Sequence, residues 1–342
     1  MVGCATAARQ PSPPRLLPEH VLAPMPHADA PTVLLTCGDP AGIGPEVVVK
    51  AWAATPLHAR ARLRIVGDAE MLARAITHRV GLPRTAIERV DAADERGSTP
   101  ATLLVIEPAA ARVGDVAIGA ATAAGGAAAA AAVLAAAALV RSGRAHAIVT
   151  GPLHKEALHA AGYDVPGHTE LLARECGLAD ADVSMMLWLP STDGTGGLGV
   201  VHVTLHESLA RAVSRITATG IEHAGVRLAG LLEPLLGRRP RIAVAALNPH
   251  GGESGLFGDE ESRVVAPAVE RLAAGGIDAS GPLPADTLFL RASRGAFDGV
   301  VALYHDQGHI AVKLLGMHRA VNITLGLPFV RTSVAHGTAF DI

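Results

Sequence analysis

Short apolar runs rich in valine, leucine and isoleucine recur along the chain, at residues 33–37, 63–66, 103–106, 147–150, 183–189, 199–204, 242–247 and 299–304. Most are continuous rather than alternating, the pattern of strands buried on both faces of a sheet. Between many of them lie stretches with helical character, at residues 44–53, 118–140, 156–161, 209–217 and 260–274. Strand and helix in alternation predict an α/β fold. The glycine-rich segment 191–199 reads as a loop between two strands. Residues 119–140 are mostly alanine, with Gly125 and Gly126 inside. Alanine favours helix but inserts weakly into membranes, so this run predicts a packed helix rather than a membrane span. Before residue 31 the chain carries Pro11, Pro13, Pro14, Pro18, Pro24 and Pro26 and no apolar run long enough for a signal peptide. Residues 1–30 are expected to form a disordered leader, and 31–342 a single folded unit of two lobes.

Composition narrows the function. Hydrophobic residues are 49% of the 342 and charged residues 18%, too apolar and too weakly charged for a disordered chain. A net charge of −3 offers no basic surplus for a phosphate backbone, and 3% aromatic residues leave few stacking platforms, which argues against nucleic acid as a partner. Cys4, Cys37 and Cys176 form no paired spacing, so no disulfide framework or thiolate zinc site is legible and a reducing cytoplasm is expected. All but three of the 29 basic residues are arginine. The exceptions, Lys50, Lys155 and Lys313, mark candidate places for a compact, deprotonatable ammonium. Lys50 is explained well enough by the last turns of a helix, where a cation suits the dipole.

Chemistry-bearing motifs sit at the ends of the predicted strands. GDPAGIGPE, from Gly38 to Glu46, joins a strand to a helix, a geometry that presents N–H groups to an anion. It lacks the third glycine of a dinucleotide fingerprint, and a tight turn accounts for it equally well. TGPLHKEAL places His154 and Lys155 at a strand's carboxyl end, where ligands collect in open α/β sheets. PGHTE follows, with His168 and Thr169; capping of a helix is the competing role for the threonine. His202, His250 and His305 each lie in or just after a predicted strand. Three neutral imidazoles from different strands would suit a catalytic divalent metal, with His206 and His309 as rivals. The HDQGH string contains Gly308 and is not read as a helical metalloprotease motif. From Pro284 onward, PADTLF, YHDQGHIAVK and VNITLGLPFVRTS gather Asp286, His305, Asp306, Lys313, Asn322 and Arg331. Acids, donors and a possible base concentrated beside apolar strands are costly unless paired or used.

Together with LNPHGGESGLFGDEE and the closing SVAHGTA, these motifs resemble the 4-hydroxythreonine-4-phosphate dehydrogenase family of vitamin B6 synthesis, over roughly residues 33–342. The resemblance implies a two-lobed fold similar to isocitrate and isopropylmalate dehydrogenases, with the active site in the cleft between the lobes and a homodimer whose subunits share active sites. By motif it assigns His202, His250 and His305 as metal ligands, and His168, Thr169, Lys313, Asn322 and Arg331 as substrate-binding. Lys313, Asp306 and Asp286 are the catalytic candidates, with Lys313 the expected proton carrier. The implied cofactors are NAD or NADP and a divalent metal, zinc, magnesium or cobalt; no residues are assigned to the nicotinamide. The implied reaction oxidises a secondary alcohol and then loses CO₂, which for 4-phosphohydroxy-L-threonine yields 3-amino-2-oxopropyl phosphate. HVTLHES and YHDQGHI resemble sibling dehydrogenases acting on 4-phospho-D-threonate or 4-phospho-erythronate, or more distantly on ring diol carboxylates. The family pattern leads to the expectation of a further helix after HGTAFDI.

Overall fold

The structure, a computed structural model, describes residues 30–81, 85–114 and 116–341, so the expected leader lies almost wholly outside the described residues. The strands are β1 (Thr32–Thr36), β2 (Arg62–Val66), β3 (Ala86–Arg89), β4 (Thr102–Ile106), β5 (Ala147–Thr150) and β6 (Ser184–Pro190). They continue with β7 (Gly197–His202), β8 (Arg241–Ala245), β9 (Asp278–Leu283), β10 (Gly299–Ala302), β11 (Val321–Leu325) and β12 (Val330–Ser333). All twelve join one sheet in the order β3-β4-β2-β1-β5-β12-β11-β6-β7-β10-β8-β9. The first six in that order run parallel, as do the last four. Between these halves β11 and β6 each pair antiparallel with both neighbours. The two parallel halves therefore run in opposite directions.

Alternation of side chains builds a core on each face of each half. In β1, Leu34 joins Ala130, Val133, Ile148 and Leu172 on one face, while Leu35 joins Val48, Trp52, Leu72 and Leu103 on the other. In the second half Met186, Val201 and Val301 pack under Leu228 and Leu232, while Leu187, Val200 and Val300 pack under Leu288 and Val312. The alanine-rich run forms the helix Ala123–Arg141, started by Thr122, whose side chain accepts from Gly125 N. By length and composition alone it is the candidate for a membrane span among the described residues. Its Ala130, Ala136 and Ala137 are buried in the core, and a Cβ on Gly126 would overlap the backbone of Ala157. The lack of side chains lets this helix pack directly on its neighbour.

GDPAGIGPE folds as a packing turn. Asp39 is fully buried; its N–H donates to Pro152 O (2.8 Å) and its Oδ1 accepts from Ala41 N (2.9 Å). Ile43 N donates to Thr338 O (3.0 Å), and a Cβ on Gly42 would lie 2.6 Å from that carbonyl. The N–H group of Ile43, just before the helix Gly44–Trp52, is thus bonded to the chain's own closing segment.

Candidate active site

Three central strands present their polar side chains to one face. The register sets Asn322 of β11 opposite Ser333 of β12 and Leu187 of β6, and Thr324 opposite Arg331 and Met185. With Met186 opposite Val201, Met185 faces His202 of β7. Over this face lies a cleft of ≈ 540 Å³. Its walls come from the segment after β5, the start of the helix His168–Glu175, and the helix His305–Gly316. His305, His309 and Lys313 line it from a single stripe of that last helix, because residues four apart share a helix face.

Arg331 forms the floor. It is buried, and its guanidinium is held flat by Thr150 Oγ1, which accepts from Nη2 (2.6 Å) and Nε (3.2 Å), and by Thr324 Oγ1, which accepts from Nη1 (2.8 Å). Burial pulls its pKa down to about 10, opposed by the charge of Glu170. It remains a cation with a preset fork of donors, suited to a carboxylate or phosphate. Beside it, His168 is pushed well below its usual pKa by burial and then by the Arg331 charge. Its Nε2 and the Oδ1 of Asn322 are sealed from solvent without partners, polar atoms that a ligand would satisfy. Thr169 and Lys155 also line the cleft. Thr150 and Thr324 escape the sequence reading, although a threonine in a run of apolar strand residues was the available signal.

The imidazoles form one wall. His202 Nε2 lies 3.0 Å from His309 Nδ1, and its Nδ1 lies 3.5 Å from Met185 O. The His305 and His309 rings stack at 3.8 Å, and His206 lies 5.6 Å from His305. Burial first, and neighbouring imidazoles second, lower His202 to about 3 and His309 to about 4. His206 is lowered by burial and by Lys155. His305 Nδ1 donates to Asp306 Oδ1 (2.6 Å), which leaves Nε2 as the lone-pair nitrogen. Asp306 thus serves His305, and its carboxylate is absent from the cleft lining.

HDQGH proves to be the first turn of the helix, so His305 and His309 do lie four residues apart on one face. Gly308 is there because a Cβ would overlap His202 Nε2 and lie 2.9 Å from Val200. Gln307 ties the ends of β10 and β8 together, accepting from Leu303 N and donating to Ala246 O, both at 2.7 Å.

His202, His305 and His250 lie at the carboxyl ends of β7, β10 and β8, three adjacent parallel strands. As donors they suit a divalent metal: a neutral buried His202, and a His305 whose tautomer is set by a carboxylate. The rings of His202 and His305 lie 6.3 Å apart. The His250 side chain is exposed, its ring 6.3 Å from that of Phe257, and it does not line the cleft. Among the described residues no three His, Cys, Asp or Glu side chains are arranged to hold an ion. His309 is the third member of the cluster within this chain. Asp286 is exposed in the first turn of the helix Ala285–Ser293, outside the cleft.

A buried arginine fork, two lysines and a wall of imidazoles meet in one cleft on an α/β sheet, the setting of an enzyme active site. The chain belongs to the family described as pyridoxal phosphate biosynthetic protein PdxA, whose model matches residues 59–342. It is 44% identical over 319 residues to D-threonate 4-phosphate dehydrogenase of Salmonella typhimurium, covering 91% of this chain and 92% of that one. It is 45% identical over 314 residues to 4-hydroxythreonine-4-phosphate dehydrogenase of Beijerinckia indica, covering 90% and 88%. The crystal structure of 4-hydroxythreonine-4-phosphate dehydrogenase from Klebsiella pneumoniae superimposes with a TM-score of 0.81 at 43% identity, over 92% of this chain and 93% of that one. The chain is accordingly an oxidoreductase of the dehydrogenase type, and the family implies a nicotinamide cofactor.

Proposed function

We propose that this chain catalyses metal-dependent, NAD- or NADP-linked oxidation of a secondary alcohol in a phosphorylated four-carbon hydroxy acid, followed by loss of CO₂. The observation that carries the reading is the single cleft in which Arg331, His168, Thr169, Asn322 and Lys313 face the imidazole wall. Arg331 binds the substrate's carboxylate or phosphate, while His168 and Asn322 bring their unpartnered atoms to its remaining polar groups. Lys313, on the same helical stripe as His305, takes the hydroxyl proton as the carbinol hydride passes to the nicotinamide. The C–C bond to the carboxylate of the resulting β-keto acid then breaks, releasing CO₂ and leaving the electron pair as an enolate, which regains a proton at carbon from Lys313 to give the ketone. His202, His250 and His305 would hold a divalent zinc, magnesium or cobalt ion, whose positive charge, when bound, stabilises the negative charge that develops on oxygen. Asp306 orients His305.

The substrate read from the family is 4-phosphohydroxy-L-threonine, giving 3-amino-2-oxopropyl phosphate on the route to pyridoxal phosphate. A second reading, 4-phospho-D-threonate or its erythronate isomer, is favoured by one observation: Glu170 is the sole carboxylate lining the cleft among the described residues, so little there answers a substrate ammonium. We further propose a cytoplasmic homodimer with shared sites, consistent with a third histidine that does not reach this chain's own cleft. The test is reduction of NAD⁺ and NADP⁺ by metal-replete protein, offered each substrate in parallel and repeated after chelation. Turnover that survives removal of metal, or none with either acid, overturns the proposal.

A further inference from the structure

The chain just after β8 makes a tight left-handed turn. His250, Gly251, Gly252, Glu253 and Ser254 have φ of 54°, 71°, 78°, 43° and 56°. Three of these carry side chains, and left-handed backbone is costly for such residues because Cβ crowds the following carbonyl oxygen. A run of this kind persists only where its surroundings over-determine it.

Glu261 supplies that determination. Its side chain is buried at 6% exposure. Oε1 accepts from the backbone N–H groups of Leu247 (2.8 Å) and Asn248 (2.7 Å), and Oε2 accepts from Asn248 Nδ2 (2.9 Å). Glu260 Oε2 takes the same Nδ2 at 2.7 Å. From the other side, a Cβ on Gly252 would lie 2.7 Å from Glu261 Oε2, so the left-handed turn packs directly on the carboxylate. Glu261 also opens a single π-helical turn, Glu261–Val265, before the helix Ala266–Ala274. Such turns recur at functional sites. A carboxylate taken out of water is held here by N–H groups rather than by a cation, which is strong only when each bond is kept in line.

We propose that Glu261 is the positioning residue for His250: by gripping two successive N–H groups at Leu247 and Asn248, it fixes the direction of the chain two residues before His250. The proposal rests on the reading of His250 as a metal ligand. Partners one step removed from a ligand typically change metal affinity by about 10–100-fold. The same grip could serve stability alone, and the experiment separates the two.

Cobalt(II) and zinc(II) binding to the full chain, without substrate or nicotinamide, would be measured for wild type, E261Q, H250A and the double variant, alongside amide exchange at Leu247 and Asn248. The expected result is about 10-fold or greater weakening in E261Q, faster exchange at both amides, and no further weakening when E261Q is added to H250A. Equal weakening by E261Q with and without His250 would mean a purely structural role and overturn the proposal. Wild-type affinity in E261Q beside a weakened H250A would overturn it while leaving the metal reading intact. Wild-type affinity in H250A would remove His250 as a ligand and the proposal with it. Should E261Q fail to fold, N248A removes only the Nδ2 bonds and is judged by the same comparisons.

Discussion

Replacing Gly308 with alanine sets two effects of opposite sign against each other. Alanine is favoured over glycine in a helix interior by about 1 kcal/mol. At this position, however, the new methyl would overlap His202 Nε2 and lie 2.9 Å from Val200 Cγ1 and 3.0 Å from Ala302 Cβ. Neither strand residue can retreat from the buried core, and overpacking of this kind costs about 1–3 kcal/mol. The net expectation for G308A is a loss of about 0–2 kcal/mol, together with displacement of His202 from His309. Gly230, in the helix Ala218–Leu236, has nothing within 4 Å of where a Cβ would stand, so G230A should show the propensity gain alone. For a chain of this length each kcal/mol moves the thermal midpoint by on the order of 1–2 °C. The two variants should therefore melt on opposite sides of wild type or, at the least, differ clearly, and kcat/KM should collapse only in G308A. A G308A protein stabilised like G230A and fully active would show that the helix does not start against His202.

Arg331→Lys keeps the charge but loses the fork held by Thr150 and Thr324; kcat/KM should fall about 100-fold with the fold retained, and a change under threefold would remove Arg331 from the substrate's anion. His202 and His309, held at about 3 and about 4 against 6.5 when unfolded, take up protons more readily in the unfolded chain. Stability should be complete above pH 6.5 and fall towards pH 4, by up to about 1.4 kcal/mol per pH unit per histidine. Melting curves across that range check this, and a flat profile identical to that of H202Q would refute it. Asp298 is bound by Arg238 at 2.7 Å and also receives Arg241, so D298N should lower the thermal midpoint by several degrees while leaving KM unmoved; a changed KM would tie this pair to the cleft.

The strands legible from sequence, β1, β2, β4 to β8 and β10, are those whose side chains are apolar because both faces are covered. The outermost strands, β3 (AIER) and β9 (DASGPL), lie at the sheet's edges and are largely exposed or half-buried, so no apolar run announces them. The central pair, β11 and β12, escaped for the opposite reason: Asn322, Arg331 and Ser333 interrupt the pattern where the strands form the floor of the cleft. Gly308 likewise disguised a helix, its missing side chain being dictated by His202, a contact 106 positions away in the chain that no local pattern encodes. His202, the last residue of β7, and His250 and His305, which follow β8 and β10, are legible as residues in or just after strands. The path into His250 is not legible in this way: the chain turns left-handed after Asn248, whose N–H donates to a carboxylate thirteen residues further on.

β12 lies between β5 and β11, pairing Arg331 with Ile148 and so joining residues nearly two hundred apart. A chain emerging from the ribosome therefore completes β5 long before the strand that covers its open side exists. Until residues 330–333 arrive, that side offers bare N–H and C=O groups to any passing strand. The same late strand brings Arg331 to Thr150, so the floor of the cleft and closure of the exposed edge come in one step of synthesis, and a nascent chain stalled short of it has neither.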